Sequence, residues 1–355
     1  MKKYLLILCL ICNFIVVSAQ SPQLKELWKL SKNKKYEELI KKGEQFLQKD
    51  SNNVEYQMMV GIALFRLNKI DKSKEHFEKA ALHNDPHSSI RARSKVYLAL
   101  CYFLECDYEK SKEALLDCKK IKSYSSIKEY NEYWFERLGF HDFYNNWYIK
   151  ETDHFRFYFQ DTSDLNYKRF ICKCEDAYTK IDTFFNSDVP KKVDYFVWTS
   201  TTDARNIIKR ASAFAYSSLC LIHGNTNENE GHEIAHVISL NYTKDIKKYK
   251  FISEGTAVYF DQTDLDIEQW FEGVLKKYKI KKIDVKDVWE KWEKHPSDYS
   301  YHLGGLFVEE LIKEYGQEKF LEFFADQSYK NAKKVFGKGL DDFIKEFEES
   351  LASKL

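Results

Sequence analysis

The chain has 355 residues, 31% of them charged and 44% hydrophobic, an ordinary globular composition with length enough for two separate cores. Its net charge is only +1, with Lys and Arg (56) interleaved among Asp and Glu (55), so no cationic excess draws it to phosphates and a nucleic-acid partner is not expected. With 4 Pro and 12 Gly, long coil linkers are not expected and helix should dominate.

The first residues read as a leader. Lys2 and Lys3 form a positive start, Leu5 to Val17 an apolar run, and Val17-Ser18-Ala19 a small-residue cleavage site. The run is shorter than the roughly 20 residues of a spanning helix. Leu8 and Ile11 precede Cys9 and Cys12, where a lipid anchor would need small residues. The spacing predicts a signal peptide over 1–19 and a secreted or periplasmic mature chain with no membrane span. Beyond the leader, Cys101, Cys106, Cys118, Cys172, Cys174 and Cys220 show no metal-type spacing. Cys101 and Cys118 fall on helices expected to pack together, either as a disulfide or as buried thiols.

From about residue 22 to 125 the chain repeats. Gly61, Leu64, Ser73, Phe77 and Ala80 recur 38 residues later as Ala99, Tyr102, Ser111, Leu115 and Cys118. A partial earlier copy places Leu39, Gly43 and Phe46 on second-helix positions. Small residues at Gly61/Ala99 and Ala80/Cys118 let antiparallel helices approach, and Pro86 stops the second helix. The pattern resembles the tetratricopeptide repeat, a helical hairpin stacked into a solenoid, which implies protein contact or support for a neighbouring domain.

Aromatics crowd 130–147 and should pack the repeat onto the next domain. Phe155, Phe157 and Phe159 then alternate with Arg156 and Tyr158, which predicts a half-buried strand. A helix is predicted from Leu165 to Phe185, a strand from Val193 to Trp198, a short helix from Asp203 to Arg210 and a third strand from Leu219 to Ile222. His223, at the end of that strand, is expected beside a substrate groove. Past Tyr301 the chain reads as helical, with Phe307, Leu311, Phe320 and Phe323 at helical spacing.

The chemistry sits between. His232-Glu233-Ile234-Ala235-His236 puts two imidazoles four residues apart on one helix face, where both can reach one ion. Glu233 is rotated off that line, suited to contact water beside the ion. Asn227 and Glu230 can cap the helix. Phe251 to Phe260 then offers Glu254 on a second apolar helix, where an unpaired carboxylate would be costly and a cation would relieve it. Small Gly255 and Ala257 should let that helix pack tightly on the first. Three protein donors leave the fourth position open, as in catalytic zinc sites.

His-Glu-x-x-His followed by Glu254-Gly255-x-Ala257-x-Tyr259 resembles the signature of the gluzincin metallopeptidases, over roughly residues 150 to 350. The resemblance implies Zn2+ held by His232, His236 and Glu254, with Glu233 as base and proton shuttle. It implies an oxyanion-stabilising role for Tyr301, in Tyr301-His302-Leu303-Gly304-Gly305. A core tyrosine is the structural alternative there, and Tyr299, His302 and His295 are neighbours able to do the same work. Tyr242 stands where a metzincin would have its third His. The amine-gripping Gly-x-Met-Glu-Asn of gluzincin aminopeptidases is absent from 218–225. Val258 replaces the Asp that orients a ligand His in the thermolysin branch, so the partners of the His ligands are not legible.

The expected fold class is therefore α+β: a helical repeat unit over 20–125, a connecting helical segment 126–150, a small zinc peptidase domain over 151–300 and a helical subdomain over 301–355. The expected substrate is a peptide or protein. The alternative is a catalytically dead peptidase fold whose repeats bind a protein partner.

Overall fold

The computed structural model describes residues 21–82, 89–163, 166–226, 230–243, 246–261 and 267–353. The expected leader, Pro86 and Asn227 lie outside the described residues. The chain is α+β and divides into two units, one ending at Asn146 and one beginning at Trp147.

The first unit is all helical: α1 (Pro22–Lys32), α2 (Tyr36–Lys49), α3 (Val54–Arg66), α4 (Ile70–Ala81), α5 (Ser89–Leu104), α6 (Tyr108–Lys120) and α7 (Ser125–Arg137). The repeat is physical as well as sequential. Ser73 Oγ donates to the Gly61 carbonyl at 2.9 Å, and Ser111 Oγ donates to the Ala99 carbonyl at 2.7 Å, both buried. Each hairpin turns through one left-handed residue, Lys34, Asn68 or Cys106, followed by an amide that bonds back to Leu30, Leu64 or Tyr102. Closing the last turn this way satisfies carbonyls that the helix end would otherwise leave open. Gly61 has no room for a Cβ, which would lie 2.8 Å from the Phe77 ring. In α7, Tyr130 packs against Tyr97 with ring centroids 6.5 Å apart.

The second unit is built on a five-stranded sheet: β1 (Tyr148–Glu151), β2 (Phe155–Phe159), β3 (Val193–Val197), β4 (Phe214–Tyr216) and β5 (Leu221–Gly224), in spatial order β1-β2-β3-β5-β4. The three central strands are parallel and both edges antiparallel. In β2 the three phenylalanines point inward and the intervening residues outward, as the alternation predicted. Each fully buried ring is worth about 1.5–3 kcal/mol. β3 is buried on both faces, as expected of a central parallel strand.

Helix α8 (Tyr167–Phe185) crosses from β2 to β3, laying Phe170, Cys174, Ala177, Ile181 and Phe185 on the inner sheet face. Asn186 ends it in a left-handed conformation, which Asn tolerates better than most residues. Along the chain, helix α9 (Thr201–Ile207) and β4 follow β3 and precede β5. Then come α10 (Glu230–Tyr242), α11 (Lys250–Tyr259), α12 (Ile267–Tyr278), α13 (Val285–Glu290), α14 (Ser297–Phe324), α15 (Tyr329–Phe336) and α16 (Leu340–Ala352). Gly316, at φ 81°, breaks α14 into two segments.

Four elements were not legible in the sequence: β1, β4, α12 and α13. Among the described residues no helix is long and apolar enough to cross a membrane. None of the six cysteines beyond the leader is in a disulfide. Cys101 and Cys118 take the buried-thiol reading, and burial pushes both thiols up to about 12.

Candidate metal centre

Helix α10 presents His232 and His236 on one face, with ring centroids 5.1 Å apart and planes nearly perpendicular. Its other face, Ile234, Ala235, Val237 and Ile238, is buried in the core with the inner sheet face, so the core sets the direction in which the imidazoles point. Helix α11 brings Glu254 to them. Glu254 Oε2 lies 3.2 Å from His236 Nε2 and 3.5 Å from His232 Nε2. Corners of a tetrahedron centred on a zinc ion at 2.0–2.1 Å lie about 3.3–3.4 Å apart, so these spacings fit one small cation held by three donors. Among the described residues, this is the one group of three or more His, Cys, Asp or Glu side chains close enough to hold a metal ion.

Two glycine contacts fix the arrangement, and they correct the expectation for Gly255. A Cβ on Gly255 would lie 2.4 Å from the Gly304 carbonyl oxygen. The small residue therefore lets α11 approach α14, which carries Tyr301, rather than α10. The close approach of α10 is made at Gly231, whose Cβ would lie 1.9 Å from the Phe260 carbonyl oxygen, just past the end of α11. That contact sets the next residue of each segment side by side: His232 Nδ1 is 3.2 Å from Asp261 Oδ1. Asp261 supplies the imidazole partner missing at Val258, seven residues after Glu254 instead of four. A carboxylate there accepts a hydrogen bond from Nδ1–H and leaves Nε2 facing the metal position.

The electrostatics follow from this packing. Burial opposes a charged imidazole at His232, but hydrogen bonds to Asp261 and Glu254 outweigh it and push its pKa up to about 10. Burial likewise opposes ionisation of Glu254, yet hydrogen bonds from His232 and His236 hold it well below the usual carboxylate range. The site thus keeps a carboxylate ionised in a half-buried setting, the setting a cation would favour.

No protein-family model and no curated protein matches this chain.

The trio opens on a cavity of about 460 Å³ that is also lined by Glu233 and Tyr301. Tyr301 stands in the second turn of α14 with its ring centroid 6.0 Å from that of His232 and 5.2 Å from Trp292. Burial, then the Glu254 and Glu233 carboxylates, raise its phenol above the usual range, so it stays a hydrogen-bond donor at neutral pH. None of its neighbours lines the cavity. Tyr299 is 2% exposed and stacked on Phe271. His295 pairs with Asp287 at 2.9 Å, and His302 bonds to the Asp298 carbonyl at 2.5 Å.

His223 is not at a groove. It is 1% exposed, stacked between Phe196 and Phe214, and accepts at Nδ1 from Trp198 Nε1 at 3.1 Å. A histidine at the end of a short strand carries the same pattern in either role; its cross-strand neighbours decide. The remaining cavity wall comes from Ser212, Ala213, Phe214 and Ala215, leading into the antiparallel edge strand, and from Arg210. Sequence reasoning singled out neither.

Proposed function

We propose that this chain is an exported zinc-dependent peptidase of gluzincin type, hydrolysing peptide bonds of a peptide or protein substrate. One observation supports the reading: Glu254 Oε2, 3.2 and 3.5 Å from the two imidazole nitrogens, shares a cavity with those imidazoles, a carboxylate, Glu233, and a neutral phenol, Tyr301.

His232, His236 and Glu254 would hold the zinc, and zinc, when bound, acts as a Lewis acid that polarises a carbonyl and lowers the pKa of water towards about 7. Asp261 keeps a proton on His232 Nδ1, so that Nε2 is the ligand atom. Glu233 takes the proton of the attacking water at its carboxylate and returns it to the leaving amine nitrogen. The Tyr301 hydroxyl donates to the oxyanion as the carbonyl carbon becomes tetrahedral. The helical core behind α10 and α11 keeps these groups from rearranging during the reaction. The leader over 1–19 is the ground for an exported location, and the helical repeats are a candidate surface for a protein partner.

The test is zinc content and peptide turnover of the purified mature chain beside three variants. About one zinc per chain is expected, lost in His236→Ala and Glu254→Ala. Glu233→Gln should keep the metal and lose turnover by at least about 10²-fold. A folded wild type that takes up no zinc refutes the proposal. Zinc without turnover leaves the repeats as the working part of a scaffold.

A further inference from the structure

Resting on the peptidase reading, we propose that Arg210 is a specificity residue that receives a carboxylate of the substrate. Among the described residues lining the metal cavity it is the one Lys or Arg. It stands after α9, where Lys209 turns the chain through φ 57°.

Its guanidinium is held in place by neutral groups alone. Nε donates to Ser212 Oγ at 3.1 Å and Nη2 donates to the Ala213 carbonyl at 3.0 Å. The plane lies over the Phe214 ring, 4.5 Å from its centroid. Among the described residues no carboxylate pairs with it, whereas Arg137 and Arg156 each lie within ion-pair distance of a glutamate. A guanidinium has five N–H donors in a rigid fork. Two are committed here, which leaves three, two on Nη1 and one on Nη2, and one hydrogen from each nitrogen can meet the two oxygens of a ligand. An Arg with its orientation already fixed loses little freedom on binding, and the ligand matching that fork is a carboxylate, bound bidentately.

Peptides offer that group in two ways, as the C-terminal α-carboxylate or as an Asp or Glu side chain. The first would make the enzyme act near chain ends, the second would make it select acidic sequences. Uncharged residues in the same place would leave a charge-assisted contact unused.

The test uses the zinc-loaded full chain and two pairs of short peptide hydroxamates. One pair ends in a free carboxylate or a carboxamide; the other carries Glu or Gln at one position and is amidated at its end. Binding is measured by calorimetry, so no turnover is needed. Wild type should prefer the carboxylate member of one pair by about 10–100-fold, and the pair that shows the preference identifies the source. In Arg210→Gln that preference should shrink to within about twofold, the loss falling on the carboxylate member; Arg210→Lys should retain part of it. A wild type with no preference in either pair, or an Arg210→Gln chain that keeps it, overturns the inference while leaving the metal centre intact. A chain that takes up no zinc removes the peptidase reading and this inference together.

Discussion

Replacing Gly231 by Ala tests whether packing at one backbone contact governs metal affinity. The added methyl would lie 1.9 Å from the Phe260 carbonyl oxygen, 2.8 Å from its carbon and 3.3 Å from Asp261 Cα. All three are backbone atoms, so no rotamer change relieves the clash. Restoring an ordinary contact requires α10 and the end of α11 to separate by more than about 1 Å. Overpacking of this kind costs about 1–3 kcal/mol, and alanine's better helix propensity returns roughly 0.5–1. A net loss of about 1–2 kcal/mol lowers Tm by about 2–8 °C in a unit of this size. The same separation pulls Asp261 from His232, at 3.2 Å in the native site, and loss of such a partner weakens metal binding about 10–100-fold.

The control is Gly273→Ala in α12, where a Cβ meets nothing within 4 Å; it should be neutral or stabilise by roughly 0.5–1 kcal/mol. Zinc affinity comes from chelator competition and Tm from thermal melting, both on purified chain. Equal zinc affinity and equal Tm in Gly231→Ala and wild type would show that the contact does not hold the site.

Two further outcomes concern the rest of the chain. Ser73→Ala and Ser111→Ala remove equivalent buried hydrogen bonds to Gly61 and Ala99, so each should cost about 1 kcal/mol in urea titrations; costs differing by more than about 1 kcal/mol would show that the two repeats are not energetically equivalent. Exposed Cys106 and Cys172 should alkylate readily at pH 8, whereas Cys101 and Cys118, buried with thiols near 12, should react only after unfolding. Native-state labelling of Cys101 or Cys118, mapped by mass spectrometry, would contradict their burial.

What the sequence determined by itself was whatever depends on short-range periodicity. The four-residue step from His232 to His236 is one helical turn, so any helix there aligns the two rings. The alternation of Phe155, Phe157 and Phe159 specifies a strand with one buried face, and the 38-residue repeat from Gly61 to Ala99 specifies stacked hairpins. Glu254 was legible because a carboxylate amid Phe251, Ile252, Val258 and Phe260 needs a partner. The tertiary structure decided which residues meet across elements. Asp261 reaches His232 because Gly231 admits the Phe260 carbonyl; neither residue carries a local pattern that reports it. β4 is three residues long and exists through its pairing with β5, too short for periodicity to register. Gly255 reads as small in any setting, and only the approach of Gly304 shows that α14 is its partner. Arg210 and His223 obey the same rule: a side chain's neighbours are set by packing at long sequence separation, and that packing brought one to the cavity and put the other in the core.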